Sequence, residues 1–420
     1  MTALVFASVI ANRAATSSAT LAVAGRANAH VSLASDGPFV VAVWAASAPT
    51  GDTDIFSAAS RDGGKTFSAP ARVNSTPGDA RVNGEQPARV AVKPRSGQVP
   101  EVAVVWTTRG SAGTKLLSAS SLDGGRTFSK SALVPGTDAA GNRGWEALGV
   151  GPGGRFMSVW LDHRRLAQPQ QTAMAGEHHH EAGAMPAKAA ATDGVAMAQL
   201  SQLYVAPLDG SIAPQAVTGG VCYCCKTAIA AGPANSLYLA WRHVYANNMR
   251  DIAFTVSRDG GKTYAAPVRV SEDKWQIEGC PDDGPAMMVD PQGAVHVIWP
   301  SVVTERGGPV KALFHASTRD GRTFSPRERI PTQGQANHPQ LAIDAAGVLA
   351  ATWDESGSGS RTLASAIGRP DRSGRIRFIR SSTAGDIGTY PFLVPVPGGW
   401  LRAWTTGAPD RSQIQVGSLQ

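Results

Sequence analysis

Cys222, Cys224 and Cys225 crowd into one short stretch, Gly219-Gly-Val-Cys-Tyr-Cys-Cys-Lys-Thr227, and the remaining cysteine, Cys280, stands in Glu278-Gly-Cys-Pro-Asp-Asp-Gly284. Thiolates are soft donors that select Cu(I), zinc or iron–sulfur centres. Two cysteines one residue apart can turn both sulfurs onto a single ion, whereas a disulfide across so short a span is strained. The competing reading is structural. Four cysteines allow three disulfide pairings, and a bridge from Cys280 to one of the trio would staple two segments together.

A second donor-rich stretch, about residues 167–202, is rich in alanine and carries Met174, Glu177, His178, His179, His180, Glu181, Met185 and Met197. Short histidine-rich tracts are a compositional sign of metal binding. Imidazole beside thioether biases the choice towards copper, with zinc as the alternative. The bland reading is a surface loop with incidental histidines. The expected ligand set is Cys222, Cys224, Cys225 and Cys280, helped by His178, His179, His180, Met174 and Met185.

Two repeats fix the scaffold that must carry these residues. The first reads Ser60-Arg-Asp-Gly-Gly-Lys-Thr-Phe67, Ser121-Leu-Asp-Gly-Gly-Arg-Thr-Phe128, Ser257-Arg-Asp-Gly-Gly-Lys-Thr-Tyr264 and the shorter Thr318-Arg-Asp-Gly-Arg-Thr-Phe324. Its aspartates recur at 61 residues twice (123−62 and 320−259), a period that implies stacked supersecondary units. Each aspartate can accept hydrogen bonds from amides of its own turn and from the Ser/Thr hydroxyls. The glycines permit positive φ, and the aromatic can pack between sheets. The second repeat is an apolar strand ending in tryptophan, at Trp44, Trp106, Trp160, Trp241, Trp299, Trp353 and Trp404. Seven such strands predict seven four-stranded units.

The first repeat resembles the Asp-box, or BNR, repeat of sialidases and related β-propellers. That resemblance implies an all-β propeller over residues 20–420, with the boxes on the face away from substrate. Sialidases have six blades, so a six-bladed ring with an extra hairpin is the alternative to seven. The last unit runs out after Gln413–Gly417 without an outer strand, and residues Thr20–Ala24 can supply one, closing the ring and removing its edges. In such a ring the loops entering the inner strands and those joining second to third strands open on the face without boxes. Both cysteine loops and the insertion therefore belong on that face. So do His30, Glu85, Glu146, Asp282, Asp283, His338 and Tyr390, with His163, His243 and Met249 after second strands.

If the resemblance extended to activity, the chain would be a sialidase-like glycoside hydrolase, with an arginine trio for the substrate carboxylate, a Tyr/Glu nucleophile pair and an aspartate acid/base. The family's opening Arg-Ile-Pro motif is absent: the first inner strand reads His30-Val-Ser-Leu-Ala34. Arg109, Arg164 and Arg242 follow second strands, and Tyr390, Glu146, Asp282 and Asp283 are the candidate catalytic residues, but no motif ties them to the family's positions. Three functions thus stay open: a copper-binding propeller for sequestration or transfer to a metal-handling protein, a glycan-active or glycan-binding propeller, and a disulfide-braced binding scaffold.

Composition narrows the partners. Net charge is +7 without a basic tract or a stacking-aromatic groove, which argues against nucleic acid. No stretch suits a bilayer span. Residues 1–19 read as a remnant export signal or a disordered lead, lacking the basic start of a full signal. Because Asp-box proteins are usually exported, the expected location is periplasmic or secreted.

Overall fold

A computed structural model describes residues 18–167, 194–277, 281, 283–357, 359–381 and 386–419. It contains seven four-stranded antiparallel sheets, each a blade, so seven blades replace the six-bladed alternative. Blade one comprises Ala27–Asp36, Phe39–Ser47, Thr53–Ser60 and Ala71–Arg72 from the axis outward. Blade six follows the same plan with Gln335–Ile343, Leu349–Ser356, Arg361–Pro370 and Ile376–Arg380. Among the described residues, no helix is long and apolar enough to cross a membrane.

The seventh blade joins both ends of the chain. Its inner three strands are Thr389–Val396, Gly399–Thr406 and Gln413–Leu419. Ser18–Leu21 is the outermost strand, antiparallel to Gln413–Leu419 with Ala19 opposite Val416 and Leu21 opposite Ile414. This closing strand begins and ends earlier than Thr20–Ala24. The reason is local: the Asn28 side chain accepts from the Val23 amide and donates to the Val23 and Arg26 carbonyls, turning the chain at that point.

The tryptophan strands are the second strand of each blade, and six of the seven indoles are fully buried. Most find a polar partner for the ring N–H, such as Asn28 for Trp44, Asp273 for Trp299 and Glu355 for Trp353. The box aromatics pack back onto the preceding blade. Phe324, for example, meets Phe254 edge-on at 5.2 Å.

Box chemistry is as the residues require. Asp62 Oδ1 accepts from the Ser60 hydroxyl and from the amides of Lys65 and Thr66, while Oδ2 accepts from the Thr66 hydroxyl at 2.6 Å. The same set recurs at Asp123 and Asp259. Gly64 adopts φ +88°, and a Cβ there would sit 2.3 Å from Leu401 of blade seven. Gly64→Ala is therefore expected to destabilise the fold by about 1–3 kcal/mol, from backbone strain and overpacking together, read as a lower chemical denaturation midpoint.

Candidate metal centre

The loop between blade three's outer strand (Gln215–Gly219) and blade four's inner strand (Ala228–Ala231) carries the cysteine trio. Alternation of strand direction puts this loop on the face without boxes. It is stitched to the segment after blade four's second strand: the Cys222 amide donates to the Arg242 carbonyl at 2.9 Å, and the Val244 amide to the Gly220 carbonyl at 2.8 Å. Pinned this way, the loop points its sulfurs inward. The sulfurs of Cys222, Cys224 and Cys225 all lie within 4.8 Å of one another, with 3.8 Å between Cys222 and Cys224. All three are buried against Trp145 and Tyr223.

The two readings of the cysteines are not exclusive. Cys222 and Cys225 are free thiols, while Cys224 is disulfide-bonded and so cannot act as a thiolate in this state. Cys280 lies outside the described residues, as do Met174, Glu177, His178, His179, His180, Glu181, Met185 and Asp282. Met197 falls in a short helix, Gly194–Leu200.

Burial alone would raise the Cys222 thiol, but the Cys225 hydrogen bond, the Cys224 amide and the charges of Arg242 and Arg250 together bring it down to about 7. Cys225 moves the opposite way, pushed up by burial and by its neighbour. The Cys225 thiol donates a hydrogen bond to the Cys222 sulfur, which ties the titration of the two together. An ion bound to two sulfurs at about 2.3 Å each spans at most about 4.6 Å between them, so the free pair, with sulfurs within 4.8 Å, is nearly in place for a single soft cation. Two thiolates without a third donor suit Cu(I) better than zinc, which prefers four ligands.

From sequence Arg242 was a candidate only for a substrate carboxylate, and Arg250 gave no signal at all. Arg242 and Arg250 are buried, and neither forms an ion pair with a carboxylate among the described residues. Arg242 donates to the carbonyls of Asp283, Arg250 and Pro300 and stacks over Trp275. Arg250 donates through Nε to Asn248, and its two terminal nitrogens have no partner. His163 and His243 flank the loop; burial lowers each to about 4, so both are neutral. His163 bonds the Tyr223 backbone and leaves Nε2 buried without a partner.

The remaining mouth residues form a second constellation. His30, Trp145, His338 and Tyr390 occupy bulges in the inner strands of blades one, three, six and seven, with φ between 51° and 61°. Left-handed backbone at bulky residues is strained, and such bulges re-aim side chains. His338 bonds Asp354 through Nδ1 at 2.5 Å and Glu85 through Nε2 at 2.7 Å, so blades two and six meet across the mouth. Burial lowers its basicity, but these two carboxylates outweigh it and raise it to about 9. Asp283 accepts from the His338 amide and pairs with Lys311. Lys226 reaches the Pro339 carbonyl. Tyr390 packs 4.1 Å from His338, over Gly84, where a Cβ would lie 2.0 Å from its ring.

Glu146 sits apart in blade three, fully buried, its carboxyl raised to about 7 by that burial. Below the mouth an axial cavity of about 310 Å³ has Arg89 and Lys226 in its lining. The three arginines considered for a substrate carboxylate are otherwise placed: Arg109 is exposed, Arg164 pairs with Asp162 at 2.8 Å, and Arg242 is held by carbonyls.

No known family profile matches the chain, and no curated protein matches it in sequence. Solved structures do resemble it. An ulvan lyase of polysaccharide lyase family PL25 aligns with TM-score 0.53 at 8% identity, over 93% of this chain and 94% of that one. A Mycobacterium tuberculosis puromycin-hydrolyzing peptidase aligns with TM-score 0.52 at 15% identity, over 93% of this chain and 52% of its own. A Trypanosoma rangeli sialidase aligns with TM-score 0.44 at 12% identity, over 94% and 55%. At these identities the likeness lies in the fold, and the chemistry has to be read from this chain's own residues.

Proposed function

We propose that this chain is an exported propeller that binds a soft transition metal, copper as Cu(I), between Cys222 and Cys225 for sequestration or handover. The observation that carries the reading is the buried cluster of three sulfurs within 4.8 Å, two of them free thiols. The His/Met-rich insertion would act as a capturing arm, passing the ion inward or on to a metal-handling protein. The Cys224 disulfide supports an oxidising setting, periplasmic or extracellular.

Anaerobic titration of untagged protein tests this. Uptake of about one equivalent of Cu(I) should release up to two protons, one per thiol. It should also protect both free thiols from alkylation. Saturating Cu(I) that leaves the thiols as reactive as before would reject the site.

A second reading, glycan chemistry, is favoured by one observation: the buried Glu146 carboxyl of blade three, held up to about 7, has the protonation a general acid needs. Turnover of a fluorogenic sialoside, abolished in Tyr390→Phe, would establish that reading over metal handling.

A further inference from the structure

The inner strands of all seven blades wall the axial cavity of about 310 Å³, which the metal reading does not use. Leu33, Leu148, Ile229, Met287, Leu341 and Leu393 line it, and among the described residues no carboxylate does. Each inner strand runs from the mouth towards the box face. Arg89 opens its strand and Lys226 stands just before its own, so both cations sit at the mouth end. They also line a smaller void shared with His338 and Tyr390.

The ion pairs of the mouth leave both cations out. Among the described residues, Glu85 pairs with His338, Asp354 with His338 and Arg361, and Asp283 with Lys311 at 3.2 Å. Glu146 turns its carboxyl to Thr107. Arg89 spends only Nε, on the Glu146 carbonyl at 2.9 Å. Lys226 is buried and donates across the channel to the Pro339 carbonyl at 2.5 Å, with two further N–H groups to place. Even with Glu146 ionised, four carboxylates (Glu85, Glu146, Asp283 and Asp354) meet five cations (Arg89, Lys226, Lys311, His338 and Arg361), and one positive charge is left over. Buried charge is ordinarily paired, and here the spare donors stand at one end of an apolar cavity.

We infer that the axial cavity binds an amphipathic monocarboxylate, its head group on Arg89 and Lys226 and its apolar body along the inner strands towards the box face. One carboxylate supplies the missing negative charge, and a guanidinium can hold it through two nitrogens. A dianion overshoots the balance, and a neutral ligand leaves the donors unmet. At roughly 30 Å³ for each water-sized group, the cavity has room for about ten, a carboxylate on a chain of about eight carbons. The inference goes beyond the metal reading and stands whether or not the cysteines hold an ion.

Isothermal titration of the full chain with octanoate, acetate and octanol tests it. Octanoate should bind near one equivalent. Losing a charged hydrogen-bond partner weakens binding by roughly 10–100-fold, so octanol, which lacks the charge, should bind weaker than octanoate by about that factor. Acetate, which lacks the body, should also bind more weakly than octanoate. Arg89→Gln and Lys226→Gln should each lose octanoate affinity by the same factor and leave octanol unchanged. Octanol binding as tightly as octanoate would reduce the site to an apolar hole and overturn the assignment. Octanoate affinity unmoved in both variants would overturn it too. If the variants fail to fold, the three affinities of the parent still decide, and a parent that takes up no octanoate refutes the inference.

Discussion

Cys222→Ser/Cys225→Ser protein is expected to lose Cu(I) and Ag(I) affinity by roughly three orders of magnitude or more, because both deprotonated ligands disappear together. Serine keeps the volume and a hydrogen-bonding group, so the loop stitched to Arg242 and Val244 should survive the exchange. Single variants should fall between, since one thiolate with a spare donor retains weak binding. Cys224 is already disulfide-bonded. Its replacement by serine should therefore act on stability more than on affinity measured without reductant. Equilibrium dialysis with metal analysis reads the outcome. A double variant that still retains one tight equivalent would place the ion elsewhere, the His/Met insertion being the first place to look.

The second large effect concerns stability. Asp354 is fully buried and holds His338 at 2.5 Å and Arg361 at 3.1 Å. Asp354→Ala removes a buried carboxylate from His338, which keeps Glu85 at 2.7 Å, and from the partly exposed Arg361. It is expected to cost about 1–3 kcal/mol for the buried donor left unpaired. The pH dependence gives a more specific readout. A histidine raised from 6.5 to about 9 contributes stability that is fully present below pH 6.5. That contribution is lost as pH rises through about 9. Glu146, raised to about 7 by burial, has the same sign: its contribution is complete below about 4.5 and lost as pH rises through 7. The neutral His163 and His243 carry the opposite sign below pH 6.5, so the readout is a difference: the stability gap between parent and Asp354→Ala should shrink as pH rises from 6.5 through about 9. Denaturant melts at half-unit pH intervals would show it, and a parent-to-variant gap that stays constant from pH 6.5 to 9 would contradict the His338 assignment.

The seven tryptophan strands and four boxes were enough to predict the ring, the number of blades and the face of the Cys222–Cys225 loop, because these depend on local periodicity. The closing strand was legible in kind and misplaced by a few residues, since its end is set by Asn28 bonding Val23 across a turn. The cysteine trio was recognisable as a unit from spacing alone. Its division into one disulfide-bonded and two free sulfurs was not, because oxidation state follows from three-dimensional proximity. Arg250 was invisible as a candidate for the same reason: an absent partner leaves no mark on the sequence. The bulges at His30, Trp145, His338 and Tyr390 also escaped, as each sits in a differently composed strand and only their shared φ reveals the repetition.

Sealing the seventh blade with Ser18–Leu21 against Gln413–Leu419 has a consequence during biosynthesis. Of the propeller's own strands, the earliest made is the last to find its neighbour, some 400 residues later. At about 5–20 residues per second, that is a delay of roughly 20–80 seconds in which the nascent ring is an open crescent with two raw rims. The rims are then the natural point for a chaperone to guard, and for two unfinished chains to interlock by mistake.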